Sequence, residues 1–196
     1  VVLPNDGLAK LSYLQERLAE YIEEDDFAAL EKKLFIAISN LITGELEIRD
    51  SGRLFDVVKA SCSIPLVFKP VEIGEYLYVD GGVLENLPVS CLQPHTDFII
   101  GVNVMPHVKS RPKSVQNLIG IATRVFDMSI WANTRPNLDC IDVLIEPKQV
   151  HKYNIFLFTK HQELYEIGYE AALEQMEVIR EAMERKEAER RDLTAE

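Results

Sequence analysis

The chain has 196 residues, is 47% hydrophobic and carries a formal net charge of −11, so it holds the material for a buried core and is not a disordered polymer. That charge argues against wrapping by nucleic acid and against broad adhesion to anionic membranes. Cys62, Cys91 and Cys140 share no close spacing and form no zinc knuckle, which suits a reducing, cytoplasmic setting, and no apolar run reaches the roughly 18 to 20 residues of a membrane-spanning helix.

The opening "VVLPNDG" lacks an initiator Met and reads as the start of a piece of something longer. Asn5 or Asp6 is expected to cap a helix whose apolar side carries Leu8, Leu11, Leu14, Leu18 and Ile22, ended by the acidic "EEDD". "LFIAISNL" and "ELEIR" predict two short strands joined by a Thr43-Gly44 turn. A short helix fits Arg53 to Ala60 and must stop before the Ile64-Pro65 step, because proline drives its predecessor out of the helical region. "PVEI" and "YLYV" around Gly74 predict a second hairpin. "DFIIGVNV" is nearly continuous in apolar β-formers and is expected as a buried central strand. A helix from about Ser114 to Thr134, a strand in "CIDVLIEP" and a long helix from His161 to about Arg185 complete a mixed α/β pattern. The strand segments "LFIAIS", "YLYVD", "DFIIGVNV" and "CIDVLIE" are expected in one sheet flanked by helices.

"YLYVDGGVLENLPV" raises a chemical question. Asp80 stands where a strand stops, next to Gly81 and Gly82, which is where open α/β sheets collect ligands. Glycine there permits positive φ and close approach of another group. The competing reading is a tight turn, since Asp-Gly is a common turn pair.

"LFDVVKASCSIPLVFKPVEI", "YLYVDGGVLENLPV" and "DFIIGVNV", in that order and spacing, resemble the C-terminal half of the patatin-like phospholipases, a family of serine acyl hydrolases. The family's Ala-Ser-x-x-Ile-Pro segment corresponds to Ala60 through Pro65, and its Asp-Gly-Gly motif falls on Asp80, Gly81 and Gly82. Asn86, Leu87 and Pro88 match what usually follows, while Glu85 stands where asparagine is frequent. The likeness spans about Phe27 to Ala172 and implies an α/β fold, a patatin-like sheet flanked by helices. It also implies that the whole chain is the C-terminal part of a single domain of that kind, with a frayed charged tail from about 184 to 196.

The resemblance further implies that Asp80 is half of a Ser-Asp dyad, taking a proton from a serine hydroxyl as that oxygen attacks a lipid ester. The nucleophile should sit in Gly-x-Ser-x-Gly, and no serine of this chain is bracketed by glycines in that pattern. Ser61 and Ser63 read instead as helix-end or turn hydroxyls. The chain is therefore expected to be the acid-bearing half of a lipid acyl hydrolase, inactive without its N-terminal half. The alternative is a non-catalytic binding or regulatory module that has lost its serine.

Ile64, Pro65, Leu66 and Phe68 are candidates for an acyl-pocket lining, against the simpler reading that "IPLVFKP" packs beneath the sheet edge. His95, His107, His151 and His161 show no metal-ligand spacing, so neither metal nor cofactor is implied. Lys109, Arg111 and Lys113 in "HVKSRPKS" are candidates for lipid-headgroup contact, or simply a solvated loop. On the last helix Leu164, Ile167, Ala171, Val178 and Ala182 make one stripe, widened by Tyr165, Tyr169, Leu173, Met176 and Met183. Such width suggests contact with a partner: the missing N-terminal segment, a second subunit or a lipid surface, the last a peripheral membrane contact.

Overall fold

The computed structural model describes residues 11–65, 67–110, 112–153 and 158–194, and divides into two compact units, Val1–Asn86 and Leu87–Glu196.

In the first unit, helix α1 covers Ser12–Ala19 and ends before Ile22, the last residue of the predicted apolar side, while Leu8 lies outside the described residues. The proposed caps Asn5 and Asp6 lie outside the described residues. The acidic run after it does more than end a helix. Asp26 accepts a hydrogen bond from the Ala28 amide at 2.8 Å, and Asp25 reaches the Phe55 amide at 2.6 Å, capping α2 (Leu54–Ser61) from 30 residues away. That remote cap supplies what Arg53, at the N-cap position, does not.

Strands β1 (Ile36–Asn40), β2 (Leu46–Arg49), β3 (Val71–Ile73) and β4 (Tyr76–Asp80) form one antiparallel sheet in the order β2-β1-β4-β3. Both predicted hairpins are present, and their turns use Gly44 and Gly74 at positive φ. The register aligns Ile38 with Glu47 on one side and Asp80 on the other, and Asn40 with Tyr78. With a side-chain period of two, Ile36, Ile38, Tyr78 and Asp80 therefore share a face. Leu54, Val57 and Ala60, three residues apart on α2, pack with Ile38, Tyr78, Val71 and Phe27 to form the core. Leu54 is fully enclosed, so Leu54→Ala is expected to cost about 2–5 kcal/mol, read as a lowered midpoint in urea denaturation.

Tyr78 carries a polar atom into this core and satisfies it. Its hydroxyl donates to Glu47 at 3.0 Å and accepts from Arg49 at 3.2 Å, while Asn40 donates to the same carboxylate at 3.0 Å. Burial pushes the Glu47 carboxyl up, and the bonds from Asn40 and Tyr78 together with Arg49 more than reverse this, leaving it below its ordinary value.

In the second unit, β5 (Ile100–Val102) and β6 (Val143–Ile145) form a parallel pair, with Ile100 opposite Val143 and Val102 opposite Ile145. The four strand segments predicted in one sheet thus occupy two. "DFIIGVNV" is also shorter as a strand and less buried than its composition suggests. Ile99, Gly101 and Asn103 are buried, whereas Ile100, Val102 and Val104 are exposed. Among the described residues β5 pairs with β6 alone, and the face that carries Ile100, Val102 and Val104 lacks the cover that parallel strands normally receive. Asn103 closes the strand, donating to Glu146 at 2.7 Å and accepting from the Met105 amide.

Helix α3 (Leu118–Thr134) starts at Asn117, whose side chain accepts from the Gly120 amide at 2.8 Å. Leu118, Ile121, Val125 and Met128, spaced by three and four, stand exposed on it. Helix α4 (His161–Thr194) runs well past the predicted end near Arg185, and the expected frayed tail is helical to Thr194. Its charges account for the extension: Lys186 pairs with Asp142 at 3.7 Å, Arg190 forks onto Asp97, and Arg191 reaches Glu187 one turn earlier. Ala182 is buried, and Tyr165, Tyr169, Leu173, Met176 and Met183 remain exposed. Among the described residues no helix is long and apolar enough to cross a membrane.

Candidate functional site

The last residue of β4 is Asp80, and the chain turns there into a single 3-10 turn, Gly81–Val83. The half-buried Asp80 carboxylate accepts the Gly82 amide at 2.8 Å. The turn reading is thus present in the geometry, since the acid caps the turn that follows it. Capping does not exhaust what this carboxylate is. Burial pushes its pKa above the ordinary carboxylate value, the Gly82 bond opposes that only in part, and no cation is among the groups that shift it. A carboxylate so placed is a better proton acceptor than one in water.

Gly81 and Gly82 are needed for closeness rather than for positive φ, which neither adopts. A Cβ on Gly81 would lie 2.3 Å from the Ala37 carbonyl oxygen, so the turn lies directly on β1. A Cβ on Gly82 would stand 3.1 Å from Asp80 Oδ1 and 3.5 Å from Asn86 Oδ1, which brings Asn86 to the same turn.

The Ala60–Pro65 segment passes beside the acid. Ser63 offers its carbonyl to the Asp80 amide at 3.1 Å, and its own buried hydroxyl donates to the Lys59 carbonyl at 2.8 Å, the helix-end role expected of it. Ile64, Pro65 and Phe68 are half-buried in the turn that follows, with the Phe68 amide bonded to the Ile64 carbonyl at 3.0 Å, and Leu66 lies outside the described residues. Cys62, just after α2, is close enough to Asp80 to respond to it: burial raises its thiol pKa and the Asp80 charge raises it further.

Two neighbours of the acid escape a reading of the motif alone. One is Cys62, which the family pattern passes over as an unspecified position. The other is Ser39, a buried residue of β1 whose hydroxyl donates to the Asp80 carbonyl at 3.0 Å. Its one visible signal is a serine inside an otherwise apolar strand run.

The remaining candidates lie in the second unit. His107 stacks on Trp131 at 4.7 Å, and Lys109 and Lys113 are exposed, while Arg111 lies outside the described residues. A cleft of about 370 Å³ in that unit is bordered by Asp97, Asp139, Asp142 and Lys186, and contains none of the motif residues.

Residues 2–92 match the family model of the patatin-like phospholipases, a stretch that contains β1 to β4, the Asp-Gly-Gly turn and Asn86. That stretch, just under half of the chain, is similar to the patatin-like phospholipase family. An uncharacterized NTE family protein of Mycobacterium bovis is 28% identical over 167 residues, 73% of this chain and 28% of its own length, and one of Mycobacterium tuberculosis matches equally. The uncharacterized protein YqhO of Bacillus subtilis is 34% identical over 76 residues, 36% of this chain and 26% of its own. The chain thus spans just over a quarter of the length of these relatives.

Proposed function

We propose that Asp80 is the general base of a serine lipid acyl hydrolase, and that this chain is the acid-bearing half of it. The observation that carries the reading is the desolvated carboxylate at the end of β4, raised in basicity and unneutralised by any cation among the groups that shift it. In the reaction, Asp80 takes the proton of a serine hydroxyl while that oxygen bonds to the ester carbonyl carbon. Collapse of the tetrahedral intermediate breaks the bond to the alkoxy oxygen, which leaves as the alcohol with the proton from Asp80. Water then repeats the sequence on the acyl-serine and regenerates both residues. Because no serine here is bracketed as Gly-x-Ser-x-Gly, the nucleophile and the oxyanion donors come from a preceding segment of the same protein or from a second subunit.

We assign the acyl lining to Ile64, Pro65 and Phe68, whose loop follows the Ser63 carbonyl that accepts the Asp80 amide, and, by its place in the sequence, to Leu66. The substrate is a lipid ester met at a membrane surface, with the protein a peripheral partner on the cytoplasmic side. No cofactor is required for such a reaction.

A fluorophosphonate probe, which labels activated serines, tests the reading. The chain alone should remain unlabelled and should not turn over p-nitrophenyl esters, whereas the longer protein with its upstream segment should be labelled and active. A longer protein that folds, is not labelled and hydrolyses no ester would make this a binding module instead.

A further inference from the structure

We infer that Ser39 is the positioning residue of the candidate acid: its hydroxyl clamps the backbone of the Asp80-Gly81 turn and so fixes where the Asp80 carboxylate stands. Ser39 is 2% exposed, and its Oγ lies 3.0 Å from the Asp80 carbonyl oxygen and 3.5 Å from that of Gly81. Ser39 pairs with Val79, so the hydroxyl reaches forward along the neighbouring strand to the point where β4 stops. At that point the ladder ends, and while the Gly81 carbonyl also accepts the Leu84 and Glu85 amides at 3.0 and 2.9 Å, the Ser39 hydroxyl supplies the bond to the Asp80 carbonyl. With the Asp80 amide bonded to the Ser63 carbonyl, the peptide groups on both sides of the Asp80 Cα are held. The serine's side chain touches no reacting atom, and its catalytic consequence rests on the general-base reading above.

The groups around Asp80 that can titrate or carry charge are few. Cys62 approaches from the end of α2, and Glu47 stands beyond Ile38 in the same cross-strand row. Lys59 of α2 is bonded to Asp56, and β3 turns Glu72 to the other face of the sheet. Asp80 thus keeps its proton affinity chiefly through burial, which depends on the turn staying closed.

Carbon-13 NMR of the Asp80 side chain in this chain reads the clamp without reference to activity. Ser39→Ala is expected to lower the Asp80 titration midpoint toward that of an exposed aspartate, because a loosened turn admits water. Ser39→Thr and Ser39→Val have nearly the same shape and differ in the hydroxyl, so the first should titrate like wild type and the second like Ser39→Ala. In the longer, active protein, losing one such bond should lower kcat about tenfold with KM unchanged. Identical Asp80 titrations in Ser39→Thr and Ser39→Val, or in Ser39→Ala and wild type, would overturn the inference. Should Asp80→Asn retain hydrolysis, the general-base reading falls while these titrations still judge the clamp.

Discussion

Asp80→Asn in the longer protein is expected to reduce ester hydrolysis by at least the roughly 10²- to 10⁴-fold that a positioned general base contributes, with the fold intact. The amide keeps the size of the carboxylate, and its oxygen still accepts the Gly82 amide that now bonds Oδ1. What it loses is the capacity to take a proton. Stability should move the other way. Burial raises the Asp80 pKa in the folded state, so the folded protein binds this proton more tightly than the unfolded chain does. The slope of stability against pH is then negative between the two values, and deprotonation above them costs the native state stability. At neutral pH the substitution removes that cost and should raise the melting temperature slightly, whereas in acid, where Asp80 is protonated in both states, the difference should vanish. Turnover and melting measured on the same preparations check both signs. A well-folded variant with wild-type turnover would return Asp80 to the role of a turn cap.

Gly81→Ala should be the most damaging small substitution in the first unit. Its Cβ would stand 2.3 Å from the oxygen and 2.4 Å from the carbon of the Ala37 carbonyl, which is backbone of a central strand and cannot rotate away. Overpacking of this kind costs about 1–3 kcal/mol, and a collision with backbone belongs at the upper end. Because β4 or its turn must retreat to relieve the overlap, hydrolysis in the longer protein should fall together with the urea midpoint. Unchanged stability in Gly81→Ala would mean that the turn does not lie on β1 as described.

Much of the first unit is legible in the sequence because its signals are local. Gly44 and Gly74 mark turns, alternation marks the strands on either side, and Pro65 limits α2. The place of Asp80 is legible as well, since alternation leads the strand to it and the two glycines mark the turn that follows. What surrounds the acid is less so. Asp25 capping α2 and Ser39 reaching the Asp80 carbonyl are contacts between residues distant in sequence, and no spacing rule encodes them, nor the nearness that lets the Asp80 charge raise the Cys62 thiol pKa. In the second unit "DFIIGVNV" has the composition of a fully covered strand, but composition reports what a strand tolerates and not how many neighbours it has. The end of α4 escapes for a similar reason. A charged run looks solvated until Arg190 and Lys186 find Asp97 and Asp142.

Strand β1 supplies no reactive atom, yet it decides whether the acid exists as a working group at all. Ala37 is the surface on which Gly81 rests, and Ser39 holds the carbonyl beyond it, so two residues of one edge measure the position of β4 at consecutive points. In a strand, displacement by a single residue exchanges the two faces. A one-residue slip of β1 would send the Ser39 hydroxyl into the apolar core and Ile38 out of it, and would place a different side chain beneath Gly81. Misaligned chains would therefore be both unstable and unable to present the carboxylate, and the geometry acts as a proofreading step on strand alignment. Single-residue insertions or deletions within β1 should for that reason be tolerated far less well than conservative replacements at the same positions.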